Sequence, residues 1–437
     1  MSLSIVIPFT AASADQALHL AALARGQGRD VVLAGPATSH IEGARSIEVA
    51  GGMGSALREA LKGSTATISV VLNPTIDLHA NDISKVIAPV VSDEADAVFG
   101  AHPSSFPRKL PESTVRRLAH TVTGVSLSAP FSGMRAFRTE VLQKLPLRAD
   151  DEAIDPEILV KLSEQRFRIR EVQVQSKAPL HSLAEQLQQA RTLLRYFGFA
   201  NATDNEHEGY NTLARMDAAP RYNAWLGRKF RQDLGRRVLE VGAGIGTITS
   251  ELEEHVDLLI ALEVDEFYVQ RLQNLFRGKP HVRPLLSGVE RADWLALHEE
   301  KLDTVLLSNV LEHVENDAEA IRNFRLALQP GGKLLTFVPA LQPLYGSMDA
   351  AVGHFRRYSK ARLKTLLQAN GFAVERLEWV NLVGIPGWFL NSTVLGRRTM
   401  PAFQLRLFDV FAPAFAAIES RIELPVGLGL FAVARAI

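Results

Sequence analysis

Cysteine is absent from the 437-residue chain. That removes disulfides, thiolate metal sites and a cysteine nucleophile, although it fixes no compartment. A surplus of charge is also missing, since 48 Lys and Arg balance 48 Asp and Glu. Nucleic-acid binders carry a basic excess, so no nucleic-acid partner is expected. No uncharged apolar run reaches the roughly 18 to 20 residues of a membrane span. The opening MSLSIVIPFTAASADQ lacks the basic start and long apolar core of a signal peptide. These absences leave a soluble, cytoplasmic protein as the default. What is present is ordinary for a folded chain, with 47% hydrophobic and 22% charged residues. The length suits two or three domains better than one core, and no repeat at a fixed period is visible.

Two blocks of alternating strand-like and helix-like sequence are separated by a polar stretch. In residues 1–178, SIVIPF, DVVLAG, TISVVLNP, ADAVFGA and FRIREVQVQ read as strands. SADQALHLAALARG and FRTEVLQKL read as helices, and this alternation predicts an α/β sheet. Residues 179–220 read as a helical linker, SLAEQLQQARTLLRYF followed by an Asn-, Asp-, Glu- and His-rich run. A second α/β alternation fills 221–437, with strands expected at RRVLEVG, LLIALEV, HVRPLL, LDTVLLSNV, KLLTFVP, AVERLEWVN and LGLFAVARA. An apolar, helix-forming insertion, 384–422, separates the last two of these strands.

The stretch VLEVGAGIGTIT carries Gly242, Gly244 and Gly246 at the turn from a strand into a helix. Without Cβ atoms, such glycines let the backbone pass close to a ligand at the carboxyl end of a parallel sheet. The dinucleotide spacing G-x-G-x-x-G is not met, and Glu240 stands two residues before the first glycine. A carboxylate there repels a pyrophosphate and suits a cationic ligand. Glu263 ends the next strand, where it can accept ribose hydroxyls, and Asn309 ends the fourth strand over the same crevice.

On these motifs, with NVLEHV and PGGKL following in order, residues 221–437 resemble a class I S-adenosylmethionine-dependent methyltransferase. The resemblance implies S-adenosylmethionine as cofactor and a seven-stranded Rossmann-like fold with a helical insertion before its last strand. It implies that the loop Gly242, Ala243, Gly244 and Gly246 cradles the methionine part. Glu240 would lie near the amino group, Glu263 would hold the ribose, and Asn309 with Val310 would line the wall beside the methyl group. The adenine contact stays open, with Asp293 as a candidate. No metal is expected.

Methyl transfer to a hydroxyl needs alignment and a base. His313 and His354 fall on loops facing the cofactor side, and either can serve. Each also has a plain alternative, His313 packed against Glu312 and His354 bonded to a neighbour. The run Arg356, Arg357, Tyr358 can clamp a phosphate or carboxylate of the substrate, or else pair with the acidic segments EEKLD and ENDAE. The insertion, with Phe408, Phe411 and Phe415 at helical spacing, can cover an apolar acceptor, form a homo-oligomer face or touch the inner membrane surface. Substrate cover is the reading preferred.

Residues 3–178 resemble a family-two glycosyltransferase, closest to the polyprenyl-phosphate sugar transferases, on SIVIPF, GGMGSALREAL, SGMRAFRTEVLQKL and DPEILVKLSEQRFRIREVQV. That implies a GT-A type sheet. The acids the family uses are replaced. Asn73 and Thr75 stand where two metal-binding aspartates belong, Leu33 and Ala34 where further acids belong, and AAS replaces N-E-E. Neutral side chains cannot hold a magnesium diphosphate, so this domain is expected to have lost catalysis, with Asp77 as the surviving acid. The function expected is O-methylation of a glycan, a lipid-linked sugar or a small hydroxylated metabolite. A bifunctional glycosyltransferase and methyltransferase in cell-surface polysaccharide synthesis, a non-catalytic scaffold and, more weakly, a dehydrogenase remain as alternatives.

Overall fold

The structure is a computed structural model that describes residues 2–26, 30–36, 43–79, 81–101, 110–177, 183–198, 213, 216–217 and 219–437. The chain forms two compact units, 1–200 and 201–437.

The first unit holds seven strands, β1 (Leu3–Pro8), β2 (Asp30–Gly35), β3 (Arg45–Glu48), β4 (Ile68–Leu72), β5 (Ala97–Ala101), β6 (Met134–Arg138) and β7 (Ile169–Gln173). Their order is β3-β2-β1-β4-β6-β5-β7. All neighbours are parallel except β6, which runs antiparallel to both β4 and β5. The central strands are buried on both faces, as expected where helices cover a sheet from either side. Two strands escaped the sequence reading. β3 is short and polar at both ends, which mutes any period-2 signal. β6 takes the first two residues of the expected helix FRTEVLQKL, so that helix runs only from Thr139 to Lys144.

Leu183–Gly198 is helical, as expected of SLAEQLQQARTLLRYF, but it is not a free linker. Leu193 from this helix is fully buried in the first unit's core beside Phe131, Leu159 and Phe167. Residues 199–212, the polar part of the expected linker, lie outside the described residues.

The second unit holds β8 (Arg237–Val241), β9 (Leu258–Glu263), β10 (Val282–Leu286), β11 (Leu302–Ser308), β12 (Leu328–Pro339), β13 (Phe372–Val380) and β14 (Gly429–Ala436). The order is β10-β9-β8-β11-β12-β14-β13, parallel up to β12 and antiparallel for the last two pairings. Chain order reverses between β8 and β11, so the crevice at their carboxyl ends is the switch point of the sheet. Period-2 alternation decides which side chains face it. Leu239 and Val241 enter the core on one face of β8 and Val238 the core on the other, which puts Glu240 on the Val238 side. In β9, Leu259 and Ala261 share that side, and Glu263 follows in register. Helices on this sheet start where side chains satisfy their free amides. Asp265 accepts from Phe267 N at 2.8 Å, Asn316 from Glu319 N at 3.2 Å and Ser359 from Arg362 N at 3.2 Å.

Between β13 and β14 lie the helix Gly384–Trp388, a π-helical turn Phe389–Val394 and the long helix Ala402–Glu419. Among the described residues no helix is long and apolar enough to cross a membrane.

Candidate active site

The loop after β8 is built on three left-handed residues. Gly242, Gly244 and Gly246 have φ of +70°, +54° and +87°, a region that costs an L-residue about 1–2 kcal/mol. Sterics divide their roles. A Cβ on Gly242 would come within 2.4 Å of Val310 Cγ2, and one on Gly246 within 2.9 Å of Leu275 Cδ2. These two glycines therefore allow close packing. At Gly244 the nearest atom would be Leu213 Cδ1 at 3.4 Å, an ordinary contact, so this position opens outward.

Glu263 pins the loop. Its Oε2 accepts from Gly244 N at 2.7 Å, and its Oε1 accepts from Val264 N at 2.7 Å and Asp265 N at 3.2 Å. Three bonds leave it about one further acceptor site. Burial pushes its pKa up, against those backbone bonds. Glu240 is 2% exposed and accepts from Thr249 Oγ1 at 2.7 Å. Burial pushes it up to about 7, and the Glu263 charge adds to the shift. Both buried acids have their pKa values raised by burial, so they ionise most readily beside a cationic group, a fit for one and a poor match for a pyrophosphate.

Across the switch point, Asn309 sits at φ +53° just past β11, with its N–H donating to Phe337 O at 2.8 Å. Val310 follows, against Gly242. The structure thus brings Glu240, Gly242, Ala243, Gly244, Gly246, Glu263, Asn309 and Val310 around one crevice. Asp293, the candidate for adenine, caps its own helix by accepting from Ala296 N at 3.0 Å.

The two histidines meet. The rings of His313 and His354 stand 4.6 Å apart at 80°. His354 Nδ1 is 2.8 Å from Asp349 Oδ1, and its Nε2 is 3.8 Å from Glu312 Oε1. Asp349 therefore accepts from the Nδ1–H, which leaves the lone pair on Nε2. Burial favours the neutral acid at Asp349, but its bonds to His354, Arg357 and Gly346 N hold it below the usual carboxylate range. Desolvation and the neighbouring His354 lower the pKa of His313, though its exposed ring limits the desolvation, and it is neutral at physiological pH. Glu312 is fully buried with no hydrogen bond to either carboxylate oxygen, and burial pushes it up to about 8. The sequence reading missed Glu312 as a site residue, although its place in the LEHV segment beside His313 was a signal. Ligating atoms of Glu312, His313 and His354 lie within 4.8 Å of one another. The grouping can hold and pass a proton, and its donor types also suit a divalent cation.

The expected substrate clamp is corrected. Arg357 is 2% exposed, with Nε on Asp349 Oδ1 at 2.9 Å, Nη1 on Ala340 O at 3.0 Å and its guanidinium 4.5 Å from the Trp388 ring centre. Tyr358 is fully buried, and its hydroxyl donates to Asp317 at 3.0 Å. Arg356 pairs with the same Asp317 at 2.8 Å and with Glu315 O at 2.7 Å. Asp317 and Glu315 belong to the ENDAE segment, so the three residues fasten a loop and position Asp349 instead of gripping a ligand.

Residues 212–377 match the family model described as a methyltransferase domain. An uncharacterized methyltransferase of Mycobacterium bovis is 28% identical over 147 residues, covering 33% of this chain and 56% of that protein. The chain thus spans about half the length of the curated relatives it matches. Among solved structures, an S-adenosylmethionine-dependent methyltransferase from Mesorhizobium loti aligns with TM-score 0.32 and 16% identity, over 46% of this chain and 92% of that one. A geranyl diphosphate methyltransferase in complex with S-adenosylmethionine aligns with TM-score 0.35 and 13% identity, over 49% and 85%.

Proposed function

We propose that this chain, whose residues 212–377 match the methyltransferase-domain family model, uses S-adenosylmethionine to methylate a hydroxyl of a glycan, a lipid-linked sugar or a small metabolite. The observation that carries the reading is the left-handed loop at the switch point, open at Gly244 and backed by Glu240 and Glu263. When bound, S-adenosylmethionine supplies an electrophilic methyl group on a sulfonium. Gly242 to Gly246 cradle its methionine part, Glu240 faces the amino group and Glu263 offers its remaining acceptor site to the ribose. Asn309 and Val310 wall the crevice on the side of the methyl group. Displacement at carbon is chiefly a matter of alignment, so the residues' main work is to fix the line of approach and exclude water.

His354 is the base. Its Nε2 would take the proton of the acceptor hydroxyl, and Asp349, held by Arg357, would stabilise the resulting imidazolium. His313, exposed beside it, packs its ring 4.6 Å from that of His354. Glu312, neutral in this setting, lies 3.8 Å from Nε2 with no hydrogen bond to either oxygen.

The first unit is read as a GT-A type scaffold without sugar transfer. Support comes from the strand order, with β6 antiparallel, and from the loop after β4. There Asn73 Oδ1 is spent on Thr75 N at 3.0 Å and Thr75 Oγ1 at 2.7 Å, a neutral turn. Asp77 pairs with Lys177 at 3.5 Å, which opposes a displaced metal site.

The test is calorimetric titration of S-adenosylmethionine and S-adenosylhomocysteine into the full chain, native and Gly244→Asp. Micromolar binding that the variant loses supports the reading. No binding by folded native protein would leave a scaffold. Sugar-nucleotide turnover with magnesium or manganese would favour the bifunctional enzyme instead.

A further inference from the structure

A surface helix normally turns its polar residues to water, but Ala402–Glu419 does the reverse. Its inward face holds Leu405, Asp409, Ala412 and Ala416, all buried. Its outward face holds Leu407, Val410, Phe411 and Ile418, exposed at 50%, 57%, 51% and 54%. The preceding segment adds Phe389, Leu390, Val394 and Leu395, each about half exposed.

The charges are sorted as well. Both acids of the helix face inward. Asp409 accepts from Tyr222 N at 2.9 Å and pairs with Arg221 at 3.3 Å, while Glu419 accepts from Asn381 N at 3.0 Å and Leu382 N at 3.3 Å. The exposed charges from 397 to 423 are Arg397, Arg398, Arg406 and Arg421 and one acid, Glu423, which lies 3.9 Å from Lys360.

We infer that this face docks on a lipid bilayer carrying anionic headgroups. An apolar stripe about 17 Å long from Leu407 to Ile418, at 1.5 Å per residue, can sink into the headgroup boundary while arginines at its border meet lipid phosphates. A second copy of the chain is the poorer occupant, because it would bring two arginine borders together with no exposed helix acid between them. The docking face is braced to the active-site loop. Trp388 Nε1 donates to Leu344 O at 3.2 Å, Ser347 Oγ to Ser392 O at 2.8 Å, and Met348 N to Ser392 Oγ at 3.2 Å. Asp349 and His354 follow directly in that loop. If the methyltransferase reading holds, the acceptor is therefore a membrane-anchored one, a lipid-linked sugar in preference to a free metabolite. The docking itself does not depend on that reading.

The experiment is flotation of the full chain with vesicles of phosphatidylglycerol and phosphatidylcholine, against phosphatidylcholine alone, without cofactor. The anionic vesicles should capture the native protein, and raised salt should weaken the capture. Arg398→Glu with Arg406→Glu should weaken it by at least about 25-fold, at roughly fivefold per basic residue. Val410→Asp with Phe411→Asp should abolish it, while S-adenosylmethionine affinity stays unchanged in both variants. Failure of folded native protein to float with anionic vesicles would overturn the inference. So would capture that neither variant weakens, or a native dimer that Val410→Asp with Phe411→Asp dissociates. Capture without any cofactor binding would leave the docking intact and sink the methyltransferase reading.

Discussion

Alanine at Gly242 and alanine at Gly244 should damage the protein in different ways, though both glycines have left-handed torsions. At Gly242 the added Cβ falls 2.4 Å from Val310 Cγ2 with φ at +70°. The torsion costs about 1–2 kcal/mol, and forcing a methyl into that packed junction adds about 1–3 kcal/mol. The sum, about 2–5 kcal/mol, should lower the melting temperature of the unit by about 4–20 °C, at roughly 2–4 °C per kcal/mol. At Gly244, φ is +54° but the nearest atom would be Leu213 Cδ1 at 3.4 Å. Only the torsional part remains, about 1–2 kcal/mol, and the methyl projects into the space read as the cofactor cradle. Differential scanning calorimetry paired with S-adenosylmethionine titration separates the two. Gly242→Ala should show the larger thermal loss, partly recovered by adding Val310→Ala when scored against Val310→Ala alone. Gly244→Ala should show the smaller thermal loss and at least about a tenfold loss of affinity, the equivalent of ~1.4 kcal/mol. A Gly242→Ala protein melting within about 1 °C of the native one would refute the packing argument. Full affinity in Gly244→Ala would refute the cradle.

Three further outcomes follow from the charges. Glu240, held near 7 by burial, should ionise fully beside a cationic ligand. Cofactor binding at pH 7 should then release about half a proton, falling towards none by pH 8.5, read as a dependence of binding enthalpy on the buffer's ionisation heat; a buffer-independent enthalpy would count against the contact. Glu312 has a folded pKa of about 8, above its unfolded value, so the folded state holds the extra proton and native stability falls as pH rises from about 4.5 to 8. Glu312→Gln should match the native protein near pH 5 and melt higher near pH 9, and parallel profiles would show that the carboxyl is solvated or paired. Arg357→Ala should cost about 3–5 kcal/mol by stranding the buried Asp349, so it should lower the melting temperature even without substrate; a variant of native stability would reopen the clamp.

Local features were readable because their physics is local. The loop from Gly242 to Gly246, the acids at Glu240 and Glu263, and Asn309 follow from a strand's end, a fixed spacing and a glycine's torsional freedom. The long, strongly apolar strands of both sheets were readable for the same reason. β3 was not, since four residues with polar ends carry almost no periodic signal. β6 was hidden where a strand passes straight into a helix at Thr139.

The sequence by itself determined an α/β chain in two blocks and a glycine loop suited to a cationic ligand. Those properties depend on composition and short-range order. Only tertiary structure decided the antiparallel insertion of β6, the exchange of β13 and β14, and the meeting of Glu312 with His354. It also turned Arg357 and Tyr358 inward to Asp349 and Asp317, and turned the apolar face of Ala402–Glu419 outward. The reason is physical. A guanidinium or a phenylalanine has the same chemistry inside or outside, and which way it points depends on what the rest of the chain packs against it.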